Sequence, residues 1–121
     1  MFAFMESYKP GLHIISTFSA PVSFLTDATN CRKFFDHIIL QLGLTDVGSV
    51  YHSFSNGGFT AVICLTESHI SIHTWPEYGI ATFDVFLSSF KNDNSEKVRR
   101  FYSETIQYFQ ATEINKQEIT R

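Results

Sequence analysis

Two β-rich runs, Val47–Phe54 and Phe59–Thr66, are separated only by Ser55-Asn56-Gly57-Gly58, and this spacing constrains the fold more than any other feature of the chain. Four turn-prone residues are enough for a hairpin but far too few for the crossover that parallel strands need, so the two runs must pair antiparallel. A third run, Ile80–Leu87 (IATFDVFL), follows the turn-prone Pro76-Glu77-Tyr78-Gly79. Gly11–Ala20 (GLHIISTFSA), bounded by Pro10 and Pro21, has the same β-branched and apolar character.

Helical periodicity occupies two other stretches. From Asp27 to Leu44 the residues Cys31, Phe34, Phe35, Ile38, Ile39 and Leu42 recur at threes and fours, with Thr26 or Asp27 as a cap and Gly43 near the end. After the polar break Lys91–Asn94, Ser95 is placed to cap a helix whose inner face carries Val98, Phe101, Tyr102, Ile106 and Phe109. Thr112–Thr120 completes the pattern as a short last strand. The order β-α-β-β-β-α-β predicts an α+β fold in one domain spanning 1–121, a two-layer sandwich of an antiparallel sheet with two helices on one face.

With 121 residues, 44% of them hydrophobic and thirteen of them phenylalanine, the chain can build one core and has no room for a second domain. A deep pocket inside one such chain would compete with that core, so a sizeable ligand site is expected at a subunit interface. Nine basic against twelve acidic residues, without a basic stripe, argue against a nucleic-acid partner. Cys31 and Cys64 are expected as reduced, buried small residues. No apolar run approaches the roughly 18 residues of a membrane span, and the opening MFAFMESYKP lacks a basic segment ahead of an apolar one, so a cytoplasmic chain is expected.

Glu67–Gly79, ESHISIHTWPEYG, does not read as plain core: it holds two histidines, two glutamates and the only tryptophan of the chain. In a regular strand Glu67, His69, Ser71 and His73 share one face. Three readings are open from the residues alone. The stretch is an exposed sheet edge with a polar face, or a metal site built on Glu67, His69 and His73, or a nucleophilic serine activated by a neighbouring base. The absence of a Gly-x-Ser-x-Gly elbow speaks against a conventional serine hydrolase.

The run Leu65-Thr66-Glu67-Ser68-His69-Ile70-Ser71-Ile72-His73-Thr74-Trp75-Pro76-Glu77-Tyr78-Gly79, followed by Ala81 and Asp84-Val85-Phe86, resembles the signature of the bacterial and archaeal S-adenosylmethionine decarboxylases. Gly11 and His13 upstream, and His52, Phe54, Gly58 and Thr60 around the hairpin, extend the resemblance. It implies that the Glu67–Ser68 peptide bond breaks by itself: the Ser68 hydroxyl attacks the Glu67 carbonyl, and elimination leaves one chain ending at Glu67 and one beginning with a pyruvoyl group made from Ser68. That ketone forms a Schiff base with an amine substrate and draws electrons as the carboxylate departs, so neither a metal nor an external cofactor is implied.

By position, His73 matches the histidine that assists processing and Thr60 a hydroxyl residue that helps it. Glu77 matches the acid that holds the ribose hydroxyls of S-adenosylmethionine, and Phe54 the aromatic that stacks on its adenine. Trp75 is expected to serve packing. Because Ser68 and His73 have opposite strand parity, their cooperation requires a break in the chain near residue 68. Two positions depart from the pattern. Twenty residues after Ser68 the family carries a proton-donating cysteine, where this chain has Ser88, and an acid four residues after His13 is replaced by Thr17. A hydroxyl is a much weaker acid than a thiol. The resemblance implies decarboxylation of S-adenosylmethionine for spermidine synthesis by a homodimer whose chains share the active-site cleft. The departures leave two alternatives: a pyruvoyl-dependent decarboxylase of ornithine or arginine, or a catalytically impaired chain acting as a regulatory partner subunit.

Overall fold

The computed structural model describes residues 8–90 and 92–121. Six strands, β1 (Leu12–Ser19), β2 (Asp46–Ser53), β3 (Phe59–Leu65), β4 (Ser68–Trp75), β5 (Ile80–Leu87) and β6 (Thr112–Thr120), form one sheet in the order β2-β3-β4-β5-β1-β6. Every described pairing is antiparallel. Three helices, α1 (Val22–Leu25), α2 (Ala28–Gln41) and α3 (Ser95–Tyr108), complete the α+β fold.

The hairpin between β2 and β3 forms as the four-residue spacing requires, with Gly57 at φ +91° in its turn. The Asp27 side chain caps α2 by accepting the Asn30 N–H at 3.1 Å, and Gly43 turns the chain out of it at φ +70°. At α3 the expected cap is displaced. Ser95 is already helical and Asn94 occupies the cap position, but the Asn94 amide turns away to donate to the Ser88 carbonyl at 2.8 Å. The short α1, absent from the helical periodicity, is fixed by the Thr74 hydroxyl, which donates to the Leu25 carbonyl at 2.7 Å.

The sequence order β-α-β-β-β-α-β lacks one strand, β4. Residues 68–75 are not an edge: they lie between β3 and β5, near the middle of the sheet. Their alternation is strict, with Ile70, Ile72 and Thr74 buried and Ser71 and His73 half-exposed on the opposite face. The buried face of the sheet meets Cys31, Phe35, Ile38 and Ile39 of α2 and Val98, Phe101, Tyr102 and Thr105 of α3. Phe35, Phe83 and Phe101 lie with ring centres 5.6–6.4 Å apart where the two helices cross the sheet. The opposite face carries no helix among the described residues. Cys64 lies there, exposed, because its parity is opposite to that of Ile63 and Leu65; only Cys31 is buried as expected.

Candidate active site

The Glu67–Ser68 bond sits at the tip of the β3–β4 hairpin. Leu65 pairs with Ser68, leaving only Thr66 and Glu67 in the turn. Two-residue hairpin turns ordinarily place positive φ on a central residue, usually glycine or asparagine. Here neither central residue takes it, and the positive φ, +151°, falls on Ser68. An L residue rarely adopts that conformation, so the backbone is strained at the bond the resemblance singles out. The chain turns just before residue 68, but the ladder is regular from Ser68 onward, so no break in alternation separates it from His73.

The Glu67 carbonyl oxygen accepts the Ser88 N–H at 2.7 Å, the first backbone bond beyond the β4–β5 ladder. Ser88 is itself held: its carbonyl receives the Asn94 amide at 2.8 Å, and the Asn94 N–H donates to the Ser89 hydroxyl at 3.3 Å. Beneath it, Gly11 admits no side chain, since a Cβ there would lie 2.3 Å from the Leu87 oxygen and 2.9 Å from the Ser88 Cα. A glycine lets β1 reach this backbone; Asn94 then fixes the amide that faces Glu67. A polar cleft lined by Thr66, Glu67, Ser88, Asn94 and Lys97 opens beside the bond.

Thr60 and His73 are register partners on β3 and β4, and the threonine Oγ1 lies 3.0 Å from the imidazole Nδ1. They share a pocket with Phe54, Asn56, Trp75 and Glu77. Asn56 ties this end together, accepting the Gly58 N–H at 2.9 Å and donating to Glu77 at 3.2 Å. Phe54 is half-exposed, its ring edge-on to His52. Trp75 is 44% exposed at the pocket wall, so the expectation of a packing role is corrected: it follows the last buried residue of β4 and points away from the core.

Within one chain these two groups are apart. Ser68 begins β4 and His73 lies five residues further on, about 16 Å at the rise of a strand. Thr60, His73, Phe54 and Glu77 gather at one end of the sheet; Glu67, Ser68 and Ser88 gather at the other.

A third cluster was not legible in the sequence. His13 on β1, His69 on β4 and Asp84 on β5 project from the helix-free face with ligand atoms all within 4.8 Å of one another. The metal reading built on Glu67, His69 and His73 is not assembled, since His69 and His73 stand four residues apart on β4, about 13 Å at the rise of a strand, and Glu67 is in the hairpin turn. In the cluster that does assemble, the Arg121 guanidinium lies 3.3 Å from His13 Nδ1. A guanidinium only donates, so Nδ1 accepts and the His13 proton sits on Nε2, 3.8 Å from Asp84 Oδ2. Burial pushes the His13 pKa below its ordinary value, which keeps the ring neutral. With a proton on Nε2 and a cation on Nδ1, the cluster is a chain of proton-bearing groups rather than a cation cradle.

The family model for S-adenosylmethionine decarboxylase matches residues 12–121. A protein of Archaeoglobus fulgidus named S-adenosylmethionine decarboxylase proenzyme is 38% identical over 77 residues, 63% of this chain and 69% of that protein. One of Aquifex aeolicus with the same name is 39% identical over 77 residues, 63% of this chain and 57% of its own length. The crystal structure of the adenosylmethionine decarboxylase from Aquifex aeolicus superposes with a TM-score of 0.76 at 28% identity, covering 94% of this chain and 90% of that one. The matched residues hold both ends of β4 and every side chain of the three groups described above. The chain belongs to the S-adenosylmethionine decarboxylase family.

Proposed function

We propose that the chain cleaves itself between Glu67 and Ser68 and, as a homodimer, decarboxylates S-adenosylmethionine through a pyruvoyl group made from Ser68, supplying aminopropyl groups for spermidine synthesis. The observation that carries this reading is the Ser88 N–H on the Glu67 carbonyl at 2.7 Å, beside a Ser68 with φ +151°. A donor already aimed at the oxygen that becomes anionic when a hydroxyl attacks its carbon is the arrangement acyl transfer needs. Strain on Ser68 raises the energy of the uncleaved turn and is relieved when the bond breaks.

In this reading the Ser68 hydroxyl adds to the Glu67 carbon, the Glu67–Ser68 C–N bond breaks, and the acyl group passes from nitrogen to oxygen. Removal of the Ser68 α-proton then expels the Glu67 carboxylate, and water replaces the freed nitrogen as ammonia. A hydroxyl-paired imidazole, His73 with Thr60, is suited to moving these protons at neutral pH. Since His73 stands about 16 Å along the strand from its own Ser68, the histidine that serves one chain comes from a second copy whose opposite sheet end overlies the first. The group formed at residue 68 supplies a ketone that withdraws electrons from a bound amine. It fits here because Ser68 carries the atoms that make it and Ser88 secures the turn that presents it. Glu77, oriented by Asn56, and the exposed Phe54 ring bind ribose hydroxyls and adenine, with Trp75 as an added wall.

Intact mass of the purified chain tests the first step. Two fragments, residues 1–67 and 68–121, are expected, and none from the Ser68→Ala variant; a single uncut species of 13.9 kDa would sink the proposal. Carbon dioxide release from S-adenosylmethionine, and not from ornithine or arginine, is expected of the cleaved protein. Release from the amino acids alone would reassign the substrate. Cleavage without release from any of the three would mark the regulatory subunit to which Ser88 points.

A further inference from the structure

Decarboxylation leaves the substrate α-carbon one proton short: carbon dioxide departs with its bond vacated to carbon, and a proton must take its place. Where the family pattern has a thiol this chain has Ser88, an alcohol that donates poorly. The structure places another acid next to the cleaved bond. His69 directly follows Ser68, on the helix-free face, edge-on to His13 with ring centres 5.7 Å apart and to Phe86 at 6.0 Å. The charged and titratable groups facing it are His13 from β1, Cys64 as its register partner on β3, Asp84 from β5 and, behind His13, Arg121.

These groups are arranged in a definite order. Backbone bonds of 2.6 and 2.9 Å between Gly11 and Arg121 hold the arginine at the end of the sheet, where it lies over Phe86 and donates to His13 Nδ1. His13 is only 7% exposed, and its Nε2 has no hydrogen-bond partner among the described residues. That nitrogen faces Asp84 at 3.8 Å, and Asp84 stands diagonally between the two histidines on the intervening strand. His69 is the only member of the cluster adjacent to residue 68.

We propose that His69 is the general acid that returns the proton to the substrate α-carbon, with Asp84 and His13 as positioning residues packed beside its ring. The inference rests on the proposed decarboxylation. One proton passes from the His69 ring to carbon, and the neutral ring regains one from solvent; no oxidant or reductant is involved. Each turnover therefore uses one proton carried by the His69 ring.

The test is run on full-length chain, with turnover normalised to the cleaved fraction measured by mass, so that a processing defect is counted separately. His69→Gln is expected to lower kcat about 100-fold, within the range of a lost general acid. Adding Ser88→Cys to His69→Gln is expected to recover most of that loss by restoring the missing donor, a rescue that a packing role for His69 could not give. A His69→Gln kcat within about threefold of the parent, or no rescue by the thiol, would overturn the assignment. Asp84→Asn, which keeps the size of the side chain beside His69 but removes its charge, is expected to lower kcat several-fold with KM unchanged. The same contact is read without any turnover in the uncleavable Ser68→Ala chain: by NMR, the His69 ring signals should shift when Asp84→Asn is added. Unmoved ring signals would overturn the positioning role of Asp84 even if the chain has no decarboxylase activity at all.

Discussion

Thr74 is surrounded by core yet keeps its hydroxyl satisfied, accepting the Phe59 N–H at 2.8 Å and donating to the Leu25 carbonyl at 2.7 Å. Thr74→Val keeps the shape and strands both partners, which costs about 1–3 kcal/mol because buried polar groups then face no replacement. Urea denaturation measures it; a loss under 0.5 kcal/mol would mean that water reaches the Phe59 amide. At this scale the sequence speaks unevenly. The opposite parity of Ser68 and His73 asked for a turn or break near residue 68; the chain turns at Thr66 and Glu67, yet the ladder runs on regularly from Ser68, so within one chain the two stay apart. The Ser88 amide was invisible because it is backbone: any residue but proline at 88 presents that N–H, and only Asn94 and the bare Gly11 reveal that the fold fixes it. The His13–Asp84–Arg121 chain was equally hidden, since its members lie as far as 108 positions apart and meet through register alone.

The elements were legible where one period or one turn dominates. The β2–β3 hairpin and α2 declared themselves through glycine spacing and a strict apolar stripe. β4 did not, because histidines and serines on its free face dilute an alternation that Ile70, Ile72 and Thr74 nonetheless keep on the core side. Asn94 likewise serves Ser88 before it serves α3, a tertiary demand no local cap rule contains. The turn before β3 and the turn after β4 meet at Gly58, where an added Cβ would stand 2.8 Å from the Pro76 Cδ and 3.1 Å from the Thr74 carbonyl. Gly58→Ala should therefore push the two turns apart. An expected 1–3 kcal/mol of overpacking strain would appear as a lower urea midpoint, and separation of Phe54 from Glu77 as a several-fold rise in KM for S-adenosylmethionine.

For the whole molecule the decisive asymmetry is between the two faces of one sheet. The helix-covered face is apolar and closed, whereas the bare face presents Thr60, His69, His73, Thr82, Asp84 and Phe86, all half-buried, with Val62 and Cys64 more exposed. One face of this sheet is uncovered among the described residues, and in the proposed dimer the split between the Ser68 end and the His73 end gives that face a chemical meaning. If two copies stack through their bare faces with strands reversed, each Ser68 meets the His73 of its neighbour, and two complete sites arise per dimer. The geometry can be tested by combining two defective chains. Alone, Ser68→Ala lacks the nucleophile and His73→Ala lacks the imidazole, so neither is expected to cleave. In a mixed dimer one site loses both groups and the other has both, drawn from different chains. Co-expression with distinguishable tags should thus cut His73→Ala chains, and only those, with cleavage limited to the heterodimer. His73→Ala chains that cut when expressed alone would show that each chain serves itself, and chains that stay intact when mixed would show that this pairing of sheet ends is wrong.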